Sequence, residues 1–134
     1  MAVLVDSNVL LDLMTEDARW LQWSSRAIEA AAERTRLVIN AIVYAEVSVR
    51  YSRVEDLEEA LPRDMFEREH LPYEAAFLAG KAFAAYRQRG GARTSTLPDF
   101  FIGAHAAVAG YELLTRDGAR YRTYFPKLAL IAPE

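Results

Sequence analysis

The sequence predicts an α/β fold built on a parallel sheet. Short apolar runs alternate with longer segments whose apolar residues follow helical spacing, and this alternation is typical of parallel sheets with covering helices. The runs are apolar at consecutive positions, as in strands buried on both faces. The chain has 134 residues, no internal repeat and no long linker. We therefore expect one domain spanning residues 1–134.

The first half of the chain contains two predicted strands and four predicted helices. The strands are apolar runs at Val3–Val5 and Leu37–Ile39. The helices carry apolar residues three or four positions apart and are Ser7–Met14, Asp17–Arg34, Ala41–Tyr51 and Val54–Leu61. Acidic residues at the start of the second helix and Pro62 after the fourth set their ends.

The second half continues the same alternation. Pro72 precedes one predicted helix and Gly90-Gly91 ends it, whereas Asp99 begins the next and Gly110 ends it. The predicted helices are Tyr73–Arg89, the segment from Asp99 to Gly110, and a short turn at Gly118–Tyr124. The predicted strands are Met65–Glu69, Glu112–Thr115 and Leu128–Ile131.

Composition excludes several classes of protein. The chain has no cysteine, which excludes disulfides and thiolate metal sites and suits a reducing cytoplasm. No run of about 18 apolar residues and no signal-peptide pattern is present, so we expect neither membrane insertion nor secretion. The net charge is −3, so nucleic-acid binding would require a local basic patch or a metal ion.

Four acidic residues are predicted to meet at one edge of the sheet. Asp6 ends the first strand, Glu46 lies in the helix after the second, Asp99 begins the helix before the fourth strand, and Asp117 follows that strand. Clustered carboxylates repel one another, and a divalent cation such as Mg²⁺ or Mn²⁺ removes that conflict. Such an ion activates water for phosphodiester hydrolysis. Taken singly, two of these acids could be helix caps, one a turn residue, and Glu46 the partner of a core arginine.

Four motifs in order resemble those of PIN-domain ribonucleases, and most of all the VapC-like toxins of toxin–antitoxin systems. The motifs are Asp6-Ser7-Asn8-Val9-Leu10-Leu11-Asp12, Ile42-Val43-Tyr44-Ala45-Glu46-Val47, Pro98-Asp99-Phe100-Phe101-Ile102-Gly103-Ala104-His105-Ala106 and Leu113-Leu114-Thr115-Arg116-Asp117. The resemblance covers essentially the whole chain. It implies a PIN-like three-layer α/β/α fold with a parallel sheet of about five strands, an endoribonuclease activity that depends on Mg²⁺ or Mn²⁺, a homodimer, and a cognate antitoxin protein.

The resemblance also assigns roles by motif. Its catalytic quartet is Asp6, Glu46, Asp99 and Asp117, and its metal ligands are Asp6, Asp99 and Asp117. Its supporting residues are Asn8 and Thr115.

The remaining polar residues receive less specific predictions. Arg93, Arg116 and Arg120 lie near the acidic motifs and are candidates for contacts with RNA phosphates. His105 is six residues past Asp99, so its side chain faces away from Asp99 on the helix. We therefore expect a hydrogen-bonded core histidine and not a metal ligand. Asp12 is expected to be a surface or capping acid.

Two other functions stay open. One is a PIN-domain nuclease of RNA processing that has no antitoxin. The other is a receiver-like phosphoacceptor or binding module, which also gathers acids at strand ends. That class needs an aspartate after a mid-chain strand, where this chain has Asn40, and a lysine near the end of its last strand, whereas Lys127 precedes the last strand.

Overall fold

A computed structural model of the chain, which describes residues 1–90 and 96–134, contains a five-stranded parallel sheet covered by helices. The strands are β1 (Ala2–Val5), β2 (Arg36–Ile39), β3 (Phe66–Arg68), β4 (Glu112–Leu114) and β5 (Leu130–Ile131). The helices are α1 (Ser7–Met14), α2 (Leu21–Arg34), α3 (Ala41–Ser48), α4 (Val54–Ala60), α5 (Tyr73–Gln88), α6 (Leu97–Ala109) and α7 (Gly118–Tyr124). The predicted fold class is confirmed.

The order of the strands reverses direction at β1. The order is β3-β2-β1-β4-β5, and every neighbouring pair is parallel. The chain moves outward from β1 through β2 to β3, then returns to the other side of β1 to form β4. Ligands of open α/β sheets bind beyond the carboxyl ends of the strands at such a reversal. Asp6 follows β1 at this point.

Polar side chains cap three of the helices, two of them directly after strands. Asp6 caps α1 by accepting a hydrogen bond from the backbone of Ser7, and Asn40 caps α3 by accepting one from the backbone of Val43. Thr96 begins α6 through a capping box with Asp99, whose side chain accepts from the Thr96 backbone at 3.1 Å. The helix therefore begins two residues earlier than predicted, with Asp99 inside its first turn.

Several other predicted bounds were too long. Helix α2 begins at Leu21 because the Asp17 side chain accepts from the backbones of Arg19 and Trp20 and holds a separate turn there. Strand β5 has two residues because the backbone of Leu128 bonds to Phe125 rather than to the sheet.

The core packs β1 between the two helical layers. All four residues of β1 are buried, as a strand covered on both faces requires. On one side, α6 approaches the Tyr121 and Phe125 rings closely at Gly103: a Cβ atom there would lie 2.5 Å from the Phe125 ring. His105 is fully buried and bonds to Asn40 at 3.0 Å, as expected for a core histidine. No helix in the described residues is long and apolar enough to cross a membrane.

Candidate active site

Asp6 is the buried centre of the site. Asp6 is only 4% exposed, and its carboxylate accepts three hydrogen bonds. The Ser7 backbone donates to Oδ1 at 2.7 Å, and the hydroxyls of Thr115 and Tyr121 donate to Oδ2 at 2.8 and 3.1 Å. Burial raises the pKa of Asp6 to about 6, the Thr115 bond opposes this, and the charge of Glu46 adds to it. The carboxylate is thus both well held and poorly solvated.

Asp6, Glu46, Asp99 and Asp117 are called the acidic cluster. Glu46 lies on α3, on the side of the cluster that faces α6. Its Oε1 accepts a hydrogen bond of 2.7 Å from the Ser7 hydroxyl, which ties it to the residue after Asp6. Burial raises the pKa of Glu46, the Ser7 bond lowers it, and the charge of Asp99 raises it. Asp6, Glu46 and Asp99 therefore lie close enough for their charges to oppose one another.

Asp99 and Asp117 share one guanidinium group. Arg120 donates to Asp99 at 3.1 Å and contacts Asp117 at 3.0 Å. Burial favours the neutral guanidine, but the charges of Asp99 and Asp117 outweigh it and raise the pKa of Arg120. A positive charge at this position offsets the repulsion that the acidic residues would otherwise feel.

Thr115 connects the acidic residues through its hydroxyl. It donates to Asp6, accepts from the Asp117 backbone at 3.0 Å and accepts from the Asn8 amide at 3.4 Å. The other atom of that amide, Asn8 Oδ1, accepts from the backbone of Arg116 at 3.2 Å. Thr115 and Asn8 thereby fix the segment after β4 against the start of α1, and their supporting roles stay predictions.

The donor set fits a hard divalent cation. The side chains around Asp6 present oxygen atoms, the ligands that Mg²⁺ and Mn²⁺ prefer. Two of the carboxyl groups have raised pKa values, because burial and mutual repulsion disfavour their charged forms. Within residues 1–90 and 96–134, no three His, Asp or Glu side chains have converged to the geometry of a metal site. Arg120 supplies the positive charge in this arrangement.

Comparison with protein families identifies the chain. A family model described as "PIN domain" matches residues 3–126. The chain belongs to the PIN domain family. This confirms the family inferred from the four motifs. None of the curated proteins is similar enough in sequence to count as a match.

Solved structures share the fold of this PIN domain along nearly its whole length. VapBC2 from Rickettsia felis, bound to a DNA fragment from its promoter, matches with a TM-score of 0.76 at 18% identity over 98% of both chains. VapBC-1 from nontypeable Haemophilus influenzae matches with a TM-score of 0.75 at 18% identity, also over 98% of both chains. VapC20 from Mycobacterium tuberculosis, described as a Sarcin-Ricin loop cleaving toxin, has a TM-score of 0.59 at 15% identity over 83% of this chain and 86% of its own.

The structure corrects the expectation for Asp12. The PIN domain buries this residue, which is 2% exposed and carries a bidentate pair with Arg116, at 2.8 and 3.1 Å. The Ser24 hydroxyl donates to the same carboxylate at 2.7 Å. Asp12 lies three residues after the buried Val9, and an acid on the buried stripe of a helix was the signal in the sequence.

The three arginines predicted to contact phosphates have different surroundings. Arg116 is held by Asp12, with its guanidinium 5.3 Å from the centre of the Trp20 ring. Arg120 lies between Asp99 and Asp117, next to the acidic cluster. Arg93 lies outside the described residues. Contact with RNA phosphates stays a prediction for all three.

Sequence reasoning missed two residues that touch the acidic cluster. Ser7 holds Glu46, and Tyr121 holds Asp6. Ser7 stands inside the first motif, between two residues that were assigned roles. Tyr121 had no signal of its own, because a tyrosine in a short helix is most simply explained as core packing.

Proposed function

We propose that this PIN domain is a metal-dependent endoribonuclease that hydrolyses RNA phosphodiester bonds. The observation that carries the proposal is the set of contacts that links the four acids. Thr115 bonds to Asp6 and to the backbone of Asp117, Ser7 bonds to Glu46, and Arg120 pairs with Asp99 and Asp117. The pKa values of Asp6 and Glu46 are raised. Carboxyl groups whose pKa values are shifted by burial and by nearby charges are concentrated at functional sites. VapC20, a fold relative, is described as a Sarcin-Ricin loop cleaving toxin, which supports RNA as the substrate class.

Each acidic residue has a role in the proposed mechanism. Asp6, Asp99 and Asp117 would hold the Mg²⁺ or Mn²⁺ ion, which when bound polarises the phosphoryl group and lowers the pKa of a water molecule. Glu46 has one oxygen on Ser7 and a second that no described hydrogen bond uses. That second oxygen orients the attacking water, and the raised pKa of Glu46 favours acceptance of its proton. The Thr115 hydroxyl donates to Asp6, which favours its ionised form, and accepts a hydrogen bond from the backbone of Asp117.

The test compares purified wild type with Asp6→Asn and Asp99→Asn on RNA, with and without excess chelator. Asparagine caps helices as well as aspartate does at residue 6, and at residue 99 its side-chain oxygen can still accept the hydrogen bond from the Thr96 backbone, so both variants are expected to keep their far-ultraviolet circular dichroism. We expect cleavage by wild type in Mg²⁺ or Mn²⁺ and none by either variant. Equal cleavage by wild type in excess chelator would refute the metal mechanism. Labelling by a small phosphodonor without cleavage would favour the receiver-like function instead.

We further propose that the nuclease is the toxin of a toxin–antitoxin pair. Structures that share its fold over 98% of the chain are VapBC complexes from two bacteria, which supports a cognate antitoxin as partner. The test is growth of cells that express the chain alone or with the small protein encoded next to its gene. Toxicity that this neighbour suppresses supports the pair. Absence of any suppressing neighbour favours an RNA-processing nuclease.

A second copy of the chain is the other proposed partner. Helix α5 leaves Tyr73 and Phe77 91% and 68% exposed, in line with the exposed Gly80. Large exposed aromatic residues in line with a small one suit helix packing between subunits. Phe77→Glu is expected to convert a dimer to a monomer in light scattering after size exclusion. A wild-type protein that is monomeric at micromolar concentration would contradict this.

A further inference from the structure

Two buried hydroxyl groups converge on one oxygen of Asp6. The Tyr121 hydroxyl donates to Oδ2 at 3.1 Å and the Thr115 hydroxyl donates to the same atom at 2.8 Å. Tyr121 is only 1% exposed, so its hydroxyl is removed from solvent together with the carboxylate. Burying both groups is costly unless they bond to each other. The hydrogen bond between Tyr121 and Asp6 therefore offsets the cost of burying both groups.

The packing around Tyr121 fixes where its hydroxyl lies. A Cβ atom on Gly103 would come within 3.0 Å of the Tyr121 ring, so the ring lies directly against the backbone of α6. Tyr121 belongs to α7, which Asp117 precedes and which also carries Arg120. The ring thus joins α7 to α6, and its hydroxyl reaches the end of β1. A phenylalanine would fill the same space but would leave Oδ2 with one donor fewer.

The hydrogen bonds around Asp6 leave its two oxygens unequal. A carboxylate has about four lone-pair positions, two on each oxygen. The hydroxyls of Thr115 and Tyr121 occupy both positions on Oδ2, and the Ser7 backbone occupies one on Oδ1. The bonds that the described residues make thus leave one position open, on Oδ1. Two donors on Oδ2 also prevent the carboxylate from rotating to exchange the two atoms.

We propose that Tyr121 is a positioning residue of the active site, whose hydroxyl holds the Asp6 carboxylate so that Oδ1 receives the divalent cation. The inference rests on the proposed function, because it needs Asp6 to be a metal ligand. It adds a residue that lies outside the four motifs. Groups that orient metal ligands typically contribute about ten- to a hundredfold in metal affinity, so a tenfold loss is the expected size.

The first test measures Mn²⁺ binding by isothermal titration calorimetry at about pH 8 in wild type and Tyr121→Phe. Tyr111→Phe is the matched control, because its hydroxyl also donates to a carboxylate, that of Glu69 at 2.7 Å, outside the acidic cluster. We expect the Kd for Mn²⁺ to rise about tenfold in Tyr121→Phe. The control is expected to stay within about twofold of wild type. Circular dichroism in excess chelator establishes that each variant is folded.

A second measurement uses only the wild-type protein and does not depend on the folding of a variant. In protein labelled with ¹³C at the tyrosine Cζ atoms, Mg²⁺ is expected to shift the Tyr121 resonance, because its hydroxyl touches a ligand of the ion. The Tyr111 resonance is expected to stay in place. In RNA cleavage at saturating Mn²⁺, Tyr121→Phe is expected to lower kcat and leave KM for RNA unchanged, because the buried hydroxyl cannot contact the substrate.

The outcomes separate this inference from the proposed function. If wild type binds Mn²⁺ and cleaves RNA, but Tyr121→Phe binds Mn²⁺ as tightly as wild type, Tyr121 has no positioning role. A Tyr121 resonance that does not move at saturating Mg²⁺ overturns the inference equally. If wild type neither binds Mn²⁺ nor cleaves RNA, the proposed function itself fails.

Discussion

Removing the Asp12 side chain tests whether a buried ion pair holds the site together. Asp12 is 2% exposed and accepts two hydrogen bonds from Arg116 and one from Ser24. Arg116 directly precedes Asp117, and its backbone donates to Asn8. Asp12→Ala leaves the guanidinium without its buried partner. We expect the free energy of unfolding to fall and Asp117 to be held less firmly in position.

The size of the loss follows from burial of the two partners. Removing one member of a buried ion pair typically costs about 3–5 kcal/mol, because the other charge is left unpaired. The Arg116 side chain is 31% exposed, so water partly solvates the charge that remains. The lower end of that range, about 3 kcal/mol, is therefore expected for Asp12→Ala. For a chain of this length, that corresponds to a fall in Tm of roughly 10 °C.

Urea denaturation followed by circular dichroism measures this loss. The matched control is Arg53→Ala, which breaks a pair with Glu55 whose side chains are 66% and 68% exposed. Exposed pairs contribute at most about 1 kcal/mol, so the control is expected to unfold close to wild type. A double-mutant cycle with Arg116→Ala isolates the pair itself. A loss below about 1 kcal/mol in Asp12→Ala would refute the reasoning that the pair is a buried support of the site.

Two further predictions concern packing and pH. Gly103→Ala places a Cβ atom 2.5 Å from the buried Phe125 ring, so we expect the free energy of unfolding to fall by about 1–3 kcal/mol. Urea denaturation measures this loss. A midpoint equal to that of wild type would show that the Phe125 ring moves aside at no cost. The pKa of Asp6 is about 6 in the folded protein against an ordinary 3.8, so its contribution to stability is full below about pH 4 and is lost as pH rises through 6. The Asp6→Asn variant lacks this titrating group, so its stability does not fall as Asp6 ionises. In chelator, the free energy of unfolding of the variant minus that of wild type is expected to rise by up to about 3 kcal/mol from about pH 4 to pH 8. A difference that does not change with pH would contradict the raised pKa.

Local patterns were sufficient to predict the sheet and the approximate helices. The apolar runs before Asp6 and Asn40 are strands, because a strand covered on both faces has no polar side. Errors occurred where side chains altered the ends of elements. Asp17 holds its own turn before α2, and Thr96 begins α6 ahead of Pro98. Both effects depend on local side-chain hydrogen bonds, which the spacing of apolar residues does not report.

The supporting contacts of the site could not be predicted for a different reason. The partner of Asp12 is 104 residues away in the chain, and the partner of Tyr121 is 115 residues away. Neither pair leaves a local pattern, and each residue alone has a simpler explanation as a surface acid or a core aromatic. The sequence places Asp6, Asp99 and Asp117 at recognisable strand or helix ends and Glu46 within an apolar helix, and their roles in the site stay predictions. The contacts that support these acids form only when the fold brings distant segments of the chain together.

The edge strands restrict how another protein can bind this molecule. Strand β3 offers three residues and β5 only two at the two edges of the sheet. The charged Glu67 lies within β3 and pairs with Arg36 on the adjacent strand. A peptide that binds by adding a strand needs a longer row of free backbone groups than either edge provides. Protein partners are therefore expected to recognise helix surfaces and side chains, so their affinity will depend on sequence more than on backbone shape.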